Sequence, residues 1–152
     1  NLVFNNLGQP IQINLKGHID RIDVFNGVCR VIDYKTGLVQ DSDLKCNTLS
    51  SIKKFPKLLQ LLMYALILNK EQSFLGDSFL VGVINLRAID FEFQPCIINK
   101  KNEIDSSILL EFEAALLNNI SEIFDQNETF EHLDRVTKCV FCDYNQQFQL
   151  CL

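Results

Sequence analysis

The stretch Gly17–Gly37, GHIDRIDVFNGVCRVIDYKTG, sets Asp20, Asp33 and Lys35 among residues that alternate between apolar and polar. Ile11, Ile13, Leu15 and Ile19 fall at period-two positions, so 11–25 reads as strand. Asn26-Gly27 is the pair that most readily takes the two positive φ angles of a tight hairpin turn, and Val28–Lys35 is then the returning strand. Side chains alternate across a strand, so His18 and Asp20 share one face, and Val31, Asp33 and Lys35 share one on the neighbouring strand. Closing the hairpin at Asn26-Gly27 brings Asp20 and Asp33 to the same level.

Two carboxylates on adjacent strands repel each other and lose hydration, and a divalent cation relieves both costs. Hard Mg²⁺ or Mn²⁺ takes a few carboxylate oxygens and completes its shell with water and phosphate, which two aspartates at a sheet end can offer. A lysine two residues from one of them would orient a nucleophile or stabilise a phosphoryl oxyanion. On a solvated strand the same three residues would form an ordinary salt bridge.

Outward from the hairpin, LVQDSDLKCNTLSS (38–51) reads as a polar loop. FPKLLQLLMYALILN (55–69) is rich in good helix formers, with Pro56 acceptable in a first turn, and predicts a helix buried over most of its surface. SFLVGVINLRAIDFEFQP (78–95) reads as two strands joined around 87–90. In 103–127 the spacing of Ile108, Leu109, Phe112, Leu116, Ile120 and Phe124 is that of an amphipathic helix. The expected fold class is α/β in one domain over 1–152, ending in a cysteine-bearing tail at 128–152.

Composition narrows the function classes. The 152 residues are 47% apolar and 22% charged, which is globular, and the net charge of −5 argues against a surface that is basic throughout. The longest apolar run, LLMYALIL, is too short for a bilayer, so no membrane partner is expected. Six cysteines without a secretory leader suit a reducing compartment, with the cytoplasm as the expected location.

GHIDRID, the hairpin, VIDYKTG and QLLMY in that order resemble the PD-(D/E)XK nuclease superfamily, and within it the RecB/AddB-type exonuclease branch with its G-x-x-D-R-x-D, D-Y-K-[ST]-G and Q-x-x-x-Y motifs. The resemblance implies a restriction-endonuclease-like core, a mixed central sheet flanked by helices. It implies Asp20, Asp33 and the backbone carbonyl of Tyr34 as ligands to Mg²⁺ or Mn²⁺, and Lys35 as the catalytic lysine. Gln60 and Tyr64, four apart on one helical face, would support the lysine and contact nucleic acid near the cut. Lys53, Lys54 and Lys57 would bind phosphates. The implied activity is metal-dependent hydrolysis of DNA phosphodiesters in repair or recombination, exonucleolytic rather than endonucleolytic, with a fused or associated helicase as partner. The alternative is a catalytically incomplete nuclease fold that binds nucleic acid or a protein.

Nucleases of this branch carry a further His or Glu on a helix before the first strand, and none of residues 1–10 is His or acidic. The chain therefore reads as the C-terminal part of a longer protein, lacking that first helix. His18 is not at the family's histidine position. In the tail, Cys139 and Cys142 form a C-x₂-C pair with Cys151 beyond, matching loosely the three C-terminal cysteines that hold a [4Fe-4S] cluster in AddB-like nucleases. Zinc is the other metal such thiolates suit, with His132 available as a fourth donor. Cys29, Cys46 and Cys96 read as small core or surface residues.

Overall fold

A computed structural model describes residues 2–6, 8–71, 78–125 and 127, so the cysteines of the tail and His132 lie outside the described residues. The chain runs β1 (Leu2–Asn6), β2 (Gln9–Ile13), β3 (Arg21–Phe25), β4 (Val28–Lys35), β5 (Lys45–Cys46), α1 (Pro56–Lys70), β6 (Ser78–Asn85), β7 (Phe93–Pro95), β8 (Ile97–Ile98), β9 (Glu103–Asp105) and α2 (Ser106–Phe124). The central sheet has the order β3-β4-β6-β7, with β9 also pairing β6. Its β4–β6 pair is parallel and the others are antiparallel, which makes the sheet mixed.

The expected hairpin forms with the expected turn. Asn26 and Gly27 have φ of 52° and 81°, and β3 pairs β4 from Phe25↔Val28 to Arg21↔Ile32. The strand expected over 11–25 is interrupted, however. Residues 14–19 belong to no strand, and Asp20 stands one residue ahead of β3. His18 and Asp20 therefore sit in a connecting segment, where period-two alternation no longer decides which way they face.

A parallel pair needs a crossover, and α1 supplies it between β4 and β6. The helix begins at Pro56, whose missing N–H costs nothing at that position. It buries Leu58, Leu61, Leu62, Ala65 and Leu66 in a core shared with Val31, Val81 and Val83 of the sheet. Ile108, Leu109 and Phe112 of α2 enter the same core. Ligands in open α/β sheets gather at the carboxyl ends of the parallel strands, and Asp33 and Lys35 stand at that end of β4.

The segment 38–51 is not the polar loop its composition suggests. It makes a 3₁₀ turn over Asp41–Leu44, then β5, which pairs β8, then a second 3₁₀ turn over Leu49–Lys54. Leu44, Cys46, Leu49 and Ile52 are all buried, and that burial outweighs the polar residues between them. Near the N-terminus β1 pairs β2, Leu2 enters the core, and the ring of Phe4 lies 5.3 Å from that of Phe124 on α2.

Helix α2 starts at an Asp105 N-cap, whose carboxylate accepts hydrogen bonds from the Ser107 hydroxyl at 2.6 Å and the Ile108 N–H at 2.9 Å. These donors hold the Asp105 carboxyl below its ordinary 3.8. In acid the unfolded chain takes up this proton first, so the contribution is complete above that value and is lost as pH falls through and below it. Asp105→Ala is expected to cost about 1 kcal/mol at neutral pH in urea unfolding, with a penalty that shrinks at pH 3. Asp105→Asn should keep most of the cap.

Candidate active site

The carboxyl end of β4 turns Asp33 and Lys35 toward the first half of α1. Asp33 is 4% exposed, one of two buried polar residues among those described. The Lys35 ammonium lies 2.8 Å from Asp33 Oδ2 and donates to Gln60 Oε1 at 2.8 Å. The Gln60 amide closes the ring: its Nε2 donates to Asp33 Oδ1 at 3.4 Å and to the Tyr64 hydroxyl at 2.6 Å. Gln60 and Tyr64 therefore share a helical face and are hydrogen-bonded to each other, and the amide bridges lysine and carboxylate. A single glutamine holds both partners because its two ends are an acceptor and a donor.

Asp20 joins from the segment just ahead of β3. Its Oδ2 accepts the backbone N–H of Tyr34 at 2.8 Å, which pins the exposed carboxylate across the hairpin, level with Asp33. Tyr34 points to the opposite sheet face, where Arg21 donates to its hydroxyl at 3.3 Å and pairs with Asp23 at 2.7 Å. Asp23 also takes two bonds from Arg30, its register partner, at 2.7 and 2.8 Å. The Arg30 guanidinium lies 4.6 Å from the Phe25 ring centroid and 5.2 Å from that of Phe93. Arg30 foremost holds the Asp23 carboxyl below its usual range. This chain of contacts ties β3 to β4 beside the site.

Gly17 has its own reason. A Cβ at this position would fall 2.9 Å from Cε1 of Tyr64, so the connecting segment crosses the tyrosine ring where only glycine fits. That crossing, against a residue 47 positions away, lies within the break in the expected strand. Asn85 is buried at the register position beside Lys35, and its Oδ1 accepts the Arg87 N–H at 2.9 Å. Gly17, Arg21 and Asp23 lie in the quoted motif, but spacing alone assigns them no partner. Nothing in the sequence marks Asn85.

Of the three lysines at the start of α1 and the turn before it, two form ion pairs. Lys53 pairs with Glu122 of α2 at 2.7 Å and Lys57 with Asp43 at 2.8 Å, while Lys54 is exposed at the end of the second 3₁₀ turn. His18 is exposed. Cys96 is fully buried, its thiol pushed up to about 12 by desolvation, and Cys46 is buried beside the Thr48 carbonyl.

A hard divalent cation suits these donors. Asp33 Oδ2 is buried and, although the ammonium is close, has no donor in hydrogen-bond geometry. Oδ1 of Asp20 has no donor among the described residues. Carboxylate oxygens are the ligands a hard ion such as Mg²⁺ takes, and no group of three or more His, Cys, Asp or Glu side chains is gathered among the described residues.

The family model of the PD-(D/E)XK nuclease superfamily matches residues 2–147. No curated protein and no solved structure matches the chain. Among the described residues no helix is long and apolar enough to cross a membrane.

Replacing Gly17 by alanine is expected to displace the Tyr64 ring and destabilise the fold by about 1–3 kcal/mol, as overpacking does. Thermal unfolding and the near-UV signal of the tyrosines report both effects.

Proposed function

Because the chain belongs to the PD-(D/E)XK nuclease superfamily, we propose that it is a metal-dependent deoxyribonuclease of repair or recombination type, an exonuclease of the RecB/AddB branch. The observation that carries this reading is the bridge of Lys35, Asp33 and Gln60: an ammonium held beside a buried carboxylate by an amide that touches both. Asp20 and Asp33, with the Tyr34 carbonyl, would hold Mg²⁺ or Mn²⁺. Such an ion, when bound, makes its water more acidic and draws charge from a phosphoryl oxygen.

The chain's own side chains do the rest. Lys35 has three N–H donors, of which Gln60 occupies one and the charge of Asp33 orients another, leaving one for the attacking water or a non-bridging phosphate oxygen. Gln60 keeps the ammonium from swinging away, and the Tyr64 hydroxyl fixes the amide. A donor already aimed at the developing charge needs no reorganisation during reaction.

The test is cleavage of labelled single- and double-stranded DNA by the purified chain in Mg²⁺ or Mn²⁺. Cutting stopped by EDTA is expected, with Lys35→Ala lowering kcat by roughly 10²–10³-fold, the loss seen when one preorganised donor is removed. DNA binding without cutting, unchanged by that substitution, would overturn the reading in favour of a binding domain.

A further inference from the structure

At the edge of its core face helix α1 carries Leu59, Met63 and Ile67, at i, i+4 and i+8, all half-buried, the first two packed against the core with their remaining surface open. They line a groove of about 350 Å³ together with Lys16 and Gly17 of the connecting segment and Gln60. Tyr64 also lines it. Gln60 is thus common to the groove and to the contacts of Lys35 and Asp33. Whatever lies in the groove touches the same amide that holds the lysine. Lys16 is exposed at the rim and forms no ion pair among the described residues.

We infer that this groove receives the unpaired base of a nucleotide next to the phosphate being cut, with Lys16 on a neighbouring phosphate; the inference rests on the nuclease reading. Of the parts of a DNA strand, only the base offers a flat apolar face. The phosphates suit Lys16 and the metal donors, and the sugar is polar at its edges. In a duplex both faces of a base are covered by stacking, so the groove selects a strand locally free of pairing. The aliphatic wall of Leu59, Met63 and Ile67 makes contact without reading base edges, so acceptance of all four bases follows.

The experiment uses the full chain in Mg²⁺ and a single-stranded oligonucleotide series in which one nucleotide at a time is made abasic. Degradation is expected to pause at the bond flanking the abasic residue, which is cut roughly tenfold more slowly than its neighbours, the scale of a lost stacking contact. Met63→Ala, on a half-buried position packed against the core, should raise KM roughly threefold to tenfold and leave kcat within about twofold, at a temperature below the modestly lowered unfolding transition of the variant. Equal cutting across the abasic series, with KM unchanged in Met63→Ala, would overturn the inference and leave the nuclease reading standing. If no DNA is cut at all, the nuclease reading fails, and base binding is read from the fluorescence of 2-aminopurine placed in the same oligonucleotide. A fluorescence change weakened by Met63→Ala supports the groove as a base site; no change, or one indifferent to that substitution, overturns it.

Discussion

The carboxylate of Asp33 is taken out of water at the end of a parallel strand, and the site depends on how that cost is met. A buried carboxylate with no counter-charge would be strongly destabilising. Lys35, two residues on along the same strand, lies within 2.8 Å, and the Gln60 amide reaches both from the crossover helix. The crossover is itself required by the parallel pairing of β4 and β6. The topology that closes the core therefore also delivers the amide to the ion pair. Ile32 on one face and Val31 on the other are fully buried, so β4 has little freedom to shift Asp33 away from these partners.

A second set of contacts stabilises the geometry from behind. Asp20 caps the Tyr34 N–H, Tyr34 meets Arg21, and Arg21 and Arg30 converge on Asp23. Exposed ion pairs contribute little one by one, but bidentate Arg30–Asp23 is partly shielded and lies close to two aromatic rings. Its effect is geometric: it ties opposed residues of β3 and β4 together only a few steps from the two aspartates. The PD-(D/E)XK architecture here joins the cluster of Asp33, Lys35 and Gln60 in front and a clasped back through the same strand pair.

Much of this was legible in the sequence where local rules govern. Asn26-Gly27 declared the turn, Val28–Lys35 has the bounds its alternation suggests, and α1 is displaced by a single residue from 55–69. The four-residue spacing of Gln60 and Tyr64 was enough to place them on one face. Illegible features have distant causes. The close approach of Gly17 to the Tyr64 ring lies in the break after Ile13, and the burial of Leu44, Cys46, Leu49 and Ile52 follows from packing that their irregular spacing does not reveal. The partners of Lys53 and Lys57, 69 and 14 residues away, belong to other segments, so no local spacing could name them.

The two-residue turn has a consequence for how the chain tolerates change in length. The last pair of the ladder, Arg21↔Ile32, lies four steps from Phe25↔Val28, roughly 14 Å at strand spacing; Asp20 and Asp33 come next beyond it, aligned by the register that the turn starts and by the Asp20–Tyr34 hydrogen bond. A loop grafted between Asn26 and Gly27, if its ends close at the same separation, leaves every opposed pair below it in place. One residue added within either strand shifts that strand's later side chains to the other face and parts the carboxylates. The hairpin tip is therefore a natural port for a fluorophore or an affinity tag, and the strand bodies admit only paired changes.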